Sequence, residues 1–77
     1  MNKTERKKVG ALANTLEDIK SKLETMSENE CEKFENMPEG LQESERGDAM
    51  QECIENLEEA ISNLEEAIGY LNEIVEG

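Results

Sequence analysis

The feature that most constrains this chain is a seven-residue repeat that runs from Met50 to Val75. With Met50 at position a, all twelve a, d and e positions hold apolar residues. They are Met50, Leu57, Leu64 and Leu71 at a, Cys53, Ala60, Ala67 and Ile74 at d, and Ile54, Ile61, Ile68 and Val75 at e. Apolar residues at this spacing share one side of an α-helix, so the repeat predicts a long amphipathic helix.

The first half of the chain carries a second apolar stripe. Its residues alternate in steps of three and four, and they are Val9, Leu12, Leu16, Ile19, Leu23 and Met26. After Met26 the rhythm slips, because Glu30 falls where an apolar residue is due, and "SENE" from Ser27 to Glu30 fits a capping box. We therefore predict a helix over about 4–36, and a break near Ser27 remains an open alternative.

A turn over 37–44 separates the two helices. Pro38 ends a helix and Gly40 permits a turn, while Ser44 and Asp48 are alternative N-caps for a second helix over about 45–76. A short connection makes its two helices antiparallel neighbours. We therefore predict an all-α fold in which 1–77 form one helical hairpin, with facing residues whose numbers add to about 84–86.

Three apolar columns are more than one partner helix covers. A strict a/d seam is typical of a two-stranded coiled coil, whereas a wider stripe suits a bundle of three or four helices. We therefore expect a homo-oligomer, most simply a four-helix dimer. The predicted oligomer core is Met50, Ile54, Leu57, Ile61, Leu64, Ile68 and Leu71.

Charge is unevenly distributed along the chain. Residues 1–22 carry six basic and three acidic residues, whereas residues 23–77 carry two basic and seventeen acidic residues, giving the net charge of −12. An antiparallel hairpin sets the basic start beside the acidic end. The negative balance argues against nucleic acid or an anionic membrane as a direct partner of the body of the protein.

The residue types argue against catalysis and against a metal or cofactor. The chain has no His, and Cys31 and Cys53 are its only two Cys. Two thiols do not complete a zinc site, and no nucleophile or phosphate-loop motif is present. The hairpin register sets Cys31 across from Cys53, so a disulfide and a pair of buried or half-buried thiols are both open. Without an apolar leader or membrane span, we expect a cytoplasmic protein with reduced thiols.

Two groups of charged residues are candidate binding sites. The first is an acidic face that would imitate phosphates toward a basic partner, and its alternative is a solvated surface; it comprises Glu52, Glu55, Glu58, Glu59, Glu65, Glu66 and Glu73. The second is a candidate anion-binding set, whose alternative is a basic end that pairs with Glu; it comprises Lys3, Arg6, Lys7, Lys8, Ser44 and Arg46.

The segment from Pro38 to Ile68 resembles small acidic proteins of Gram-positive bacteria and their phages. These share a Pro-x-x-Leu-Gln-x-Ser-Glu-x-Gly turn that leads into a long heptad helix, and this chain has "LQESERG" from Leu41 to Gly47. The resemblance implies a turn-plus-helix unit and an origin in a phage or another mobile element, and it implies no activity.

Three hypotheses about function follow. The leading one is a stoichiometric binding protein that inhibits host defence machinery through the acidic face. The second is an oligomeric sponge that sequesters a nucleotide signal through the basic residues, and the third is a structural oligomerisation module. The expected partners are accordingly a second copy of the chain, a host protein and, for the sponge, a nucleotide.

Overall fold

The computed structural model describes all 77 residues, and the chain is entirely α-helical apart from its turns and ends. Helix α1 spans Lys3–Glu35, α2 is a single turn over Glu39–Gln42, and α3 spans Glu45–Glu76. The helices α1 and α3 pack along each other and form a rod of 58 × 14 × 13 Å. The prediction of an all-α chain with two long packed helices is therefore confirmed. Neither helix has a stretch apolar enough to cross a membrane.

Helix α1 runs through Ser27 without interruption. It begins at a capping box in which the Asn2 side chain accepts from the Glu5 backbone N–H at 2.8 Å, and the Glu5 carboxylate accepts from the Asn2 N–H at 3.3 Å. The break considered near Ser27 does not occur, because Ser27 is a mid-helix residue that is buried in the hairpin. Its small side chain lets the two helices approach closely at this point.

The pairing of the two helices follows the expected register. The Lys20 Nζ lies 3.4 Å from the Glu65 Oε1. Near the free end, a Cβ placed on Gly10 would lie 3.6 Å from a Val75 methyl group, which is ordinary contact. Both pairs have residue numbers that add to 85. The basic start of α1 therefore lies against the acidic end of the chain, although Lys20 alone forms an ion pair across the hairpin.

The side of α1 that faces α3 includes only half of the predicted apolar stripe, since Val9, Leu16 and Leu23 are half-buried. Ala13 and Ser27 are buried, and the Lys20 side chain between them is only 19% exposed. By contrast, Leu12, Ile19 and Met26 are 63%, 42% and 55% exposed. The residues at 13, 20 and 27 recur every seven positions, but two of the three are polar, which hid this column in the sequence. Small residues and the stem of a lysine fit the narrow contact better than Leu or Met.

Helix α3 turns its apolar columns toward α1 without burying most of them. Ile68 is 4% exposed and belongs to the interior of the single hairpin, rather than to a surface left for another copy. The rest of the predicted oligomer core is half-buried, namely Met50, Ile54, Leu57, Ile61, Leu64 and Leu71. Only Ala13, Ser27, Gly47 and Ile68 are buried in the whole chain. One hairpin therefore does not enclose a core of its own.

Gly47 stands at the one place where the turn touches the start of α3. A Cβ on Gly47 would lie 2.7 Å from the Leu41 carbonyl oxygen and would collide with the Gln42 carbonyl. Gly69 is also helical, but a Cβ there would meet nothing within 4 Å. The two glycines therefore offer a matched comparison of a close approach with open space.

We predict opposite effects for Gly47→Ala and Gly69→Ala. Gly47→Ala should lower the free energy of unfolding by about 1–3 kcal/mol, because the turn must shift to admit the methyl group. Gly69→Ala should raise it by about 1 kcal/mol through helix propensity. Urea unfolding followed by circular dichroism at one fixed protein concentration measures both, and equal effects of the two substitutions would contradict the close approach at Gly47.

Candidate functional site

Every residue of the acidic face predicted on α3 is exposed. All seven residues lie on the side of α3 away from its apolar columns, and they are Glu52, Glu55, Glu58, Glu59, Glu65, Glu66 and Glu73. From Glu52 to Glu73 the face extends for about 32 Å at 1.5 Å per residue. Glu65 alone has an ion-pair partner, Lys20, so six carboxylates have no cation beside them. This face is a continuous negative surface on a rigid helix.

The basic residues at the start of α1 form a second feature at the free end of the rod. Lys3, Arg6 and Lys7 line an open groove together with Val75, Glu76 and Gly77. Arg6 is half-buried, and its Nε is covered without a hydrogen-bond partner. Lys8 lies outside this groove and is exposed. The groove combines cationic side chains and the first turn of a helix, both of which favour anions, with the Glu76 carboxylate, which opposes them.

The six candidate anion-binding residues do not come together within one chain. Ser44 and Arg46 lie at the turn, at the opposite end of the 58 Å rod from Lys3 and Arg6. Ser44 is the N-cap of α3, so Asp48 is not; the Ser44 hydroxyl donates to the Leu41 carbonyl and accepts from the Gly47 N–H. Its hydrogen-bonding capacity is therefore used within the turn, whereas Arg46 is exposed.

The Gln42 side chain links the turn to the end of α1 by hydrogen bonds, a role that the sequence pattern did not indicate. Its side-chain Nε2 donates to the carbonyl oxygens of Phe34 at 2.9 Å and Met37 at 3.1 Å, with a longer contact of 3.5 Å to Glu35. The last carbonyls of a helix have no partner inside the helix, and Gln42 supplies one. The stretch "LQESERG" thus closes α1 through Gln42, opens α3 through Ser44 and needs Gly47 for close contact.

The two cysteines are free thiols in this structure. Cys31 is half-buried and Cys53 is exposed, so the expectation that both thiols are at least half-buried is wrong for Cys53. Cys53 lies with Met26 and Leu57 in a shallow groove between the two long helices. No group of three or more His, Cys, Asp or Glu residues is placed to hold a metal ion.

No family model matches the chain, and it matches no curated protein and no solved structure. No residue of the acidic face or of the basic groove therefore takes a role from a relative. The roles proposed below rest on the charge, exposure and position of each side chain.

We predict that Gln42→Ala weakens the hairpin although Gln42 is outside both candidate sites. Loss of its amide removes one of the two donors to the Phe34 carbonyl and the side-chain donor to the Met37 carbonyl, which should lower the free energy of unfolding by about 1–2 kcal/mol. The neighbouring Glu43→Ala is the control, because Glu43 is exposed and should change stability by less than about 0.5 kcal/mol. Thermal unfolding of both variants checks this, and equal melting temperatures would contradict the cap.

Proposed function

We propose that this protein is a non-enzymatic binding protein that works as a homo-oligomeric helical bundle and docks its acidic face on a basic partner. The observation that carries the proposal is the row of seven exposed glutamates on α3, six of them without a cation of their own. A surface with this charge attracts proteins that normally bind the phosphates of nucleic acids or nucleotides. One bound copy would then block one such site.

The helix gives this face a fixed spacing. Because the carboxylates stand on one continuous α-helix, they are held over about 32 Å without a loop that must be ordered on binding. Opposite charges across an interface mainly raise the association rate and fix the orientation of the partners. We therefore expect fast, salt-sensitive binding whose specificity follows the spacing of cations on the partner.

A host defence protein is the partner that we favour. The turn and heptad helix resemble those of small acidic proteins of Gram-positive bacteria and their phages, and stoichiometric inhibition is a task suited to a small protein without catalytic groups. We place the interaction in the cytoplasm, where such defence proteins meet nucleic acids and nucleotide signals.

We predict that reversing two charges on the acidic face abolishes capture of the partner. Glu59→Lys with Glu66→Lys changes the net charge by +4 in the middle of the face, so cations on the partner meet repulsion. The control is Glu24→Lys with Glu28→Lys, which makes the same charge change at exposed positions of α1. Affinity capture from a Gram-positive host lysate, followed by mass spectrometry, compares both variants with the unmodified protein.

The control pair should retain the captured protein, and its yield should fall steeply as salt rises from about 0.05 to 0.3 M. Equal capture by both double variants would exclude the acidic face as the binding surface. If both charge-reversed variants behave like the unmodified protein in capture and only a core substitution such as Ile61→Asp changes the result, the structural oligomerisation module is the better hypothesis.

A nucleotide sponge is the second candidate, and the groove at the free end favours it. Arg6 has a covered Nε without a partner, and Lys3 and Lys7 lie beside it at the first turn of α1. A phosphate would supply the missing acceptor. Because Arg46 lies at the other end of the rod, a site that uses both Arg6 and Arg46 requires two chains.

We predict for this candidate that a nucleotide raises the melting temperature and that Arg6→Ala and Arg46→Ala remove the shift. The ligands to test are ATP, ADP-ribose and a cyclic dinucleotide, each in molar excess over the protein. Lys22→Ala is the control, because Lys22 is an exposed cation on α1 outside the groove. A flat response to every ligand would exclude the sponge.

A further inference from the structure

One long side of the hairpin is apolar in its middle and almost free of carboxylates. On α1 this side shows Leu12, Ile19 and Met26, which recur every seven residues and are exposed. The residues three or four positions away, on the outer flank, are polar or basic, namely Lys8, Thr15, Lys22 and Asn29. On α1, carboxylates border this side only toward its ends, for example at Glu5 and Glu30, and Glu30 is held by Lys33 at 3.0 Å. On α3 the acidic face borders it, and Glu52 lies in a groove with Cys53.

Helix α3 contributes a matching pair of columns to the same side. The groove that joins Met26 to Cys53 and Leu57 shows that the d positions lie next to the exposed row of α1. These positions hold Cys53, Ala60, Ala67 and Ile74, and the column beyond them holds Ala49, Asn56, Asn63 and Tyr70. None of these eight residues is charged, although α3 is the most acidic part of the chain. We call the surface formed by these columns of α1 and α3 the open face.

We propose that the open face is covered by a second copy of this chain, turned end for end, so that the two turns lie at opposite ends of the dimer. This inference rests on the self-association proposed above and adds the surface and the orientation to it. In such a pair each α1 crosses the other in the antiparallel sense. The Leu12 end of one exposed row then lies against the Met26 end of the other, with Ile19 near the two-fold axis.

The size and character of the open face fit a second copy. A side 58 Å long and 14 Å wide has a projected area of about 800 Å², which is of the same order as the accessible area that each partner buries in a standard stable interface. With only four residues buried in one chain, the dimer supplies the core that a single hairpin lacks. The Ala positions at d let a facing helix approach closely, and the exposed row of Leu12, Ile19 and Met26 lies beside them.

Charge selects the end-for-end orientation. The half of the rod near the turn, residues 23–62, carries thirteen acidic and two basic residues, which gives −11. The half near the free end, residues 1–22 and 63–77, carries seven acidic and six basic residues, which gives −1. Turns at the same end would bring two segments of −11 together, whereas the reversed pair sets each against a segment of −1. Like charges within about 10 Å repel strongly at low salt, so the reversed pair is favoured.

The orientation is measured with one spin label at the tip of the turn. Gly40→Cys suits the label because nothing lies within 4 Å of its Cβ position, and Cys31→Ala with Cys53→Ala removes the native thiols. Sedimentation first establishes the dimer, and pulsed electron spin resonance then gives the distance between the two labels. The reversed pair predicts about 58 Å, the length of the rod. Turns at the same end predict no more than about 20 Å, or two interhelical spacings.

A substitution pair tests the surface itself. Ile19→Lys places a cation at the centre of the open face and should weaken self-association by at least roughly 100-fold, because it faces its own copy across the axis. Ser21→Lys is the control on an exposed part of α1 outside the open face, and it should leave the dimer unchanged. Circular dichroism verifies that both variants keep the helical hairpin.

The outcomes separate this inference from the binding function. A dimer with a short label distance overturns the orientation, and a dimer that survives Ile19→Lys overturns the surface. A folded monomer at millimolar concentration overturns both the inference and the proposed oligomer. Loss of the partner protein in the Glu59→Lys, Glu66→Lys variant while the dimer persists would leave this inference standing and support the acidic face separately.

Discussion

The contact between α1 and α3 is the constraint on which the rest of the structure depends. It is narrow, because the most buried column of α1 holds Ala13, Lys20 and Ser27 and only half of the α1 stripe, Val9, Leu16 and Leu23, is half-buried beside it, whereas α3 carries three apolar columns. Small residues bring the helix axes close together, but they cover little of the Leu and Ile surface opposite. What remains uncovered is a surface 58 Å long that is apolar in its middle. The uncovered surface thus exists because the apolar side of α3 is wider than the part of α1 that packs against it.

The distribution of charge distinguishes the two surfaces that the contact between α1 and α3 leaves exposed. The outward side of α3 holds the unpaired glutamates, while the neighbouring open face has none in its four columns. Since carboxylates fill about a quarter of the chain, this separation gives the two surfaces different chemistry. The first attracts cations and repels copies of itself. The second repels no copy of itself, so we assign binding of a foreign partner and self-association to different sides of one rod.

The residues of the turn have structural roles that account for its sequence. Gln42, Ser44 and Gly47 each serve the connection between α1 and α3 through a hydrogen bond or a close approach. The stretch that carries the resemblance to small acidic phage-type proteins is therefore accounted for as a structural element. Its exposed members, Leu41, Glu43, Glu45 and Arg46, are the ones left for contact with another molecule.

Periodicity and turn residues were sufficient to predict the helices, the turn, the antiparallel register and the exposed acidic face, because each depends on neighbours within one or two helical turns. They were not sufficient to predict which half of the α1 stripe packs on α3, since Val9, Leu16 and Leu23 are half-buried and the other half is exposed. An apolar stripe marks a side that avoids water, but Leu12, Ile19 and Met26 do not reveal whether the partner is the same chain or another. The buried Ser27, the cap of Gln42 on Phe34 and the separation of Arg6 from Arg46 likewise depend on how distant segments meet. The sequence by itself determined the two long helices and the sign of the charge on their surfaces. Only the tertiary structure decided which columns of side chains touch, because close packing selects side chains by size and shape as well as by polarity.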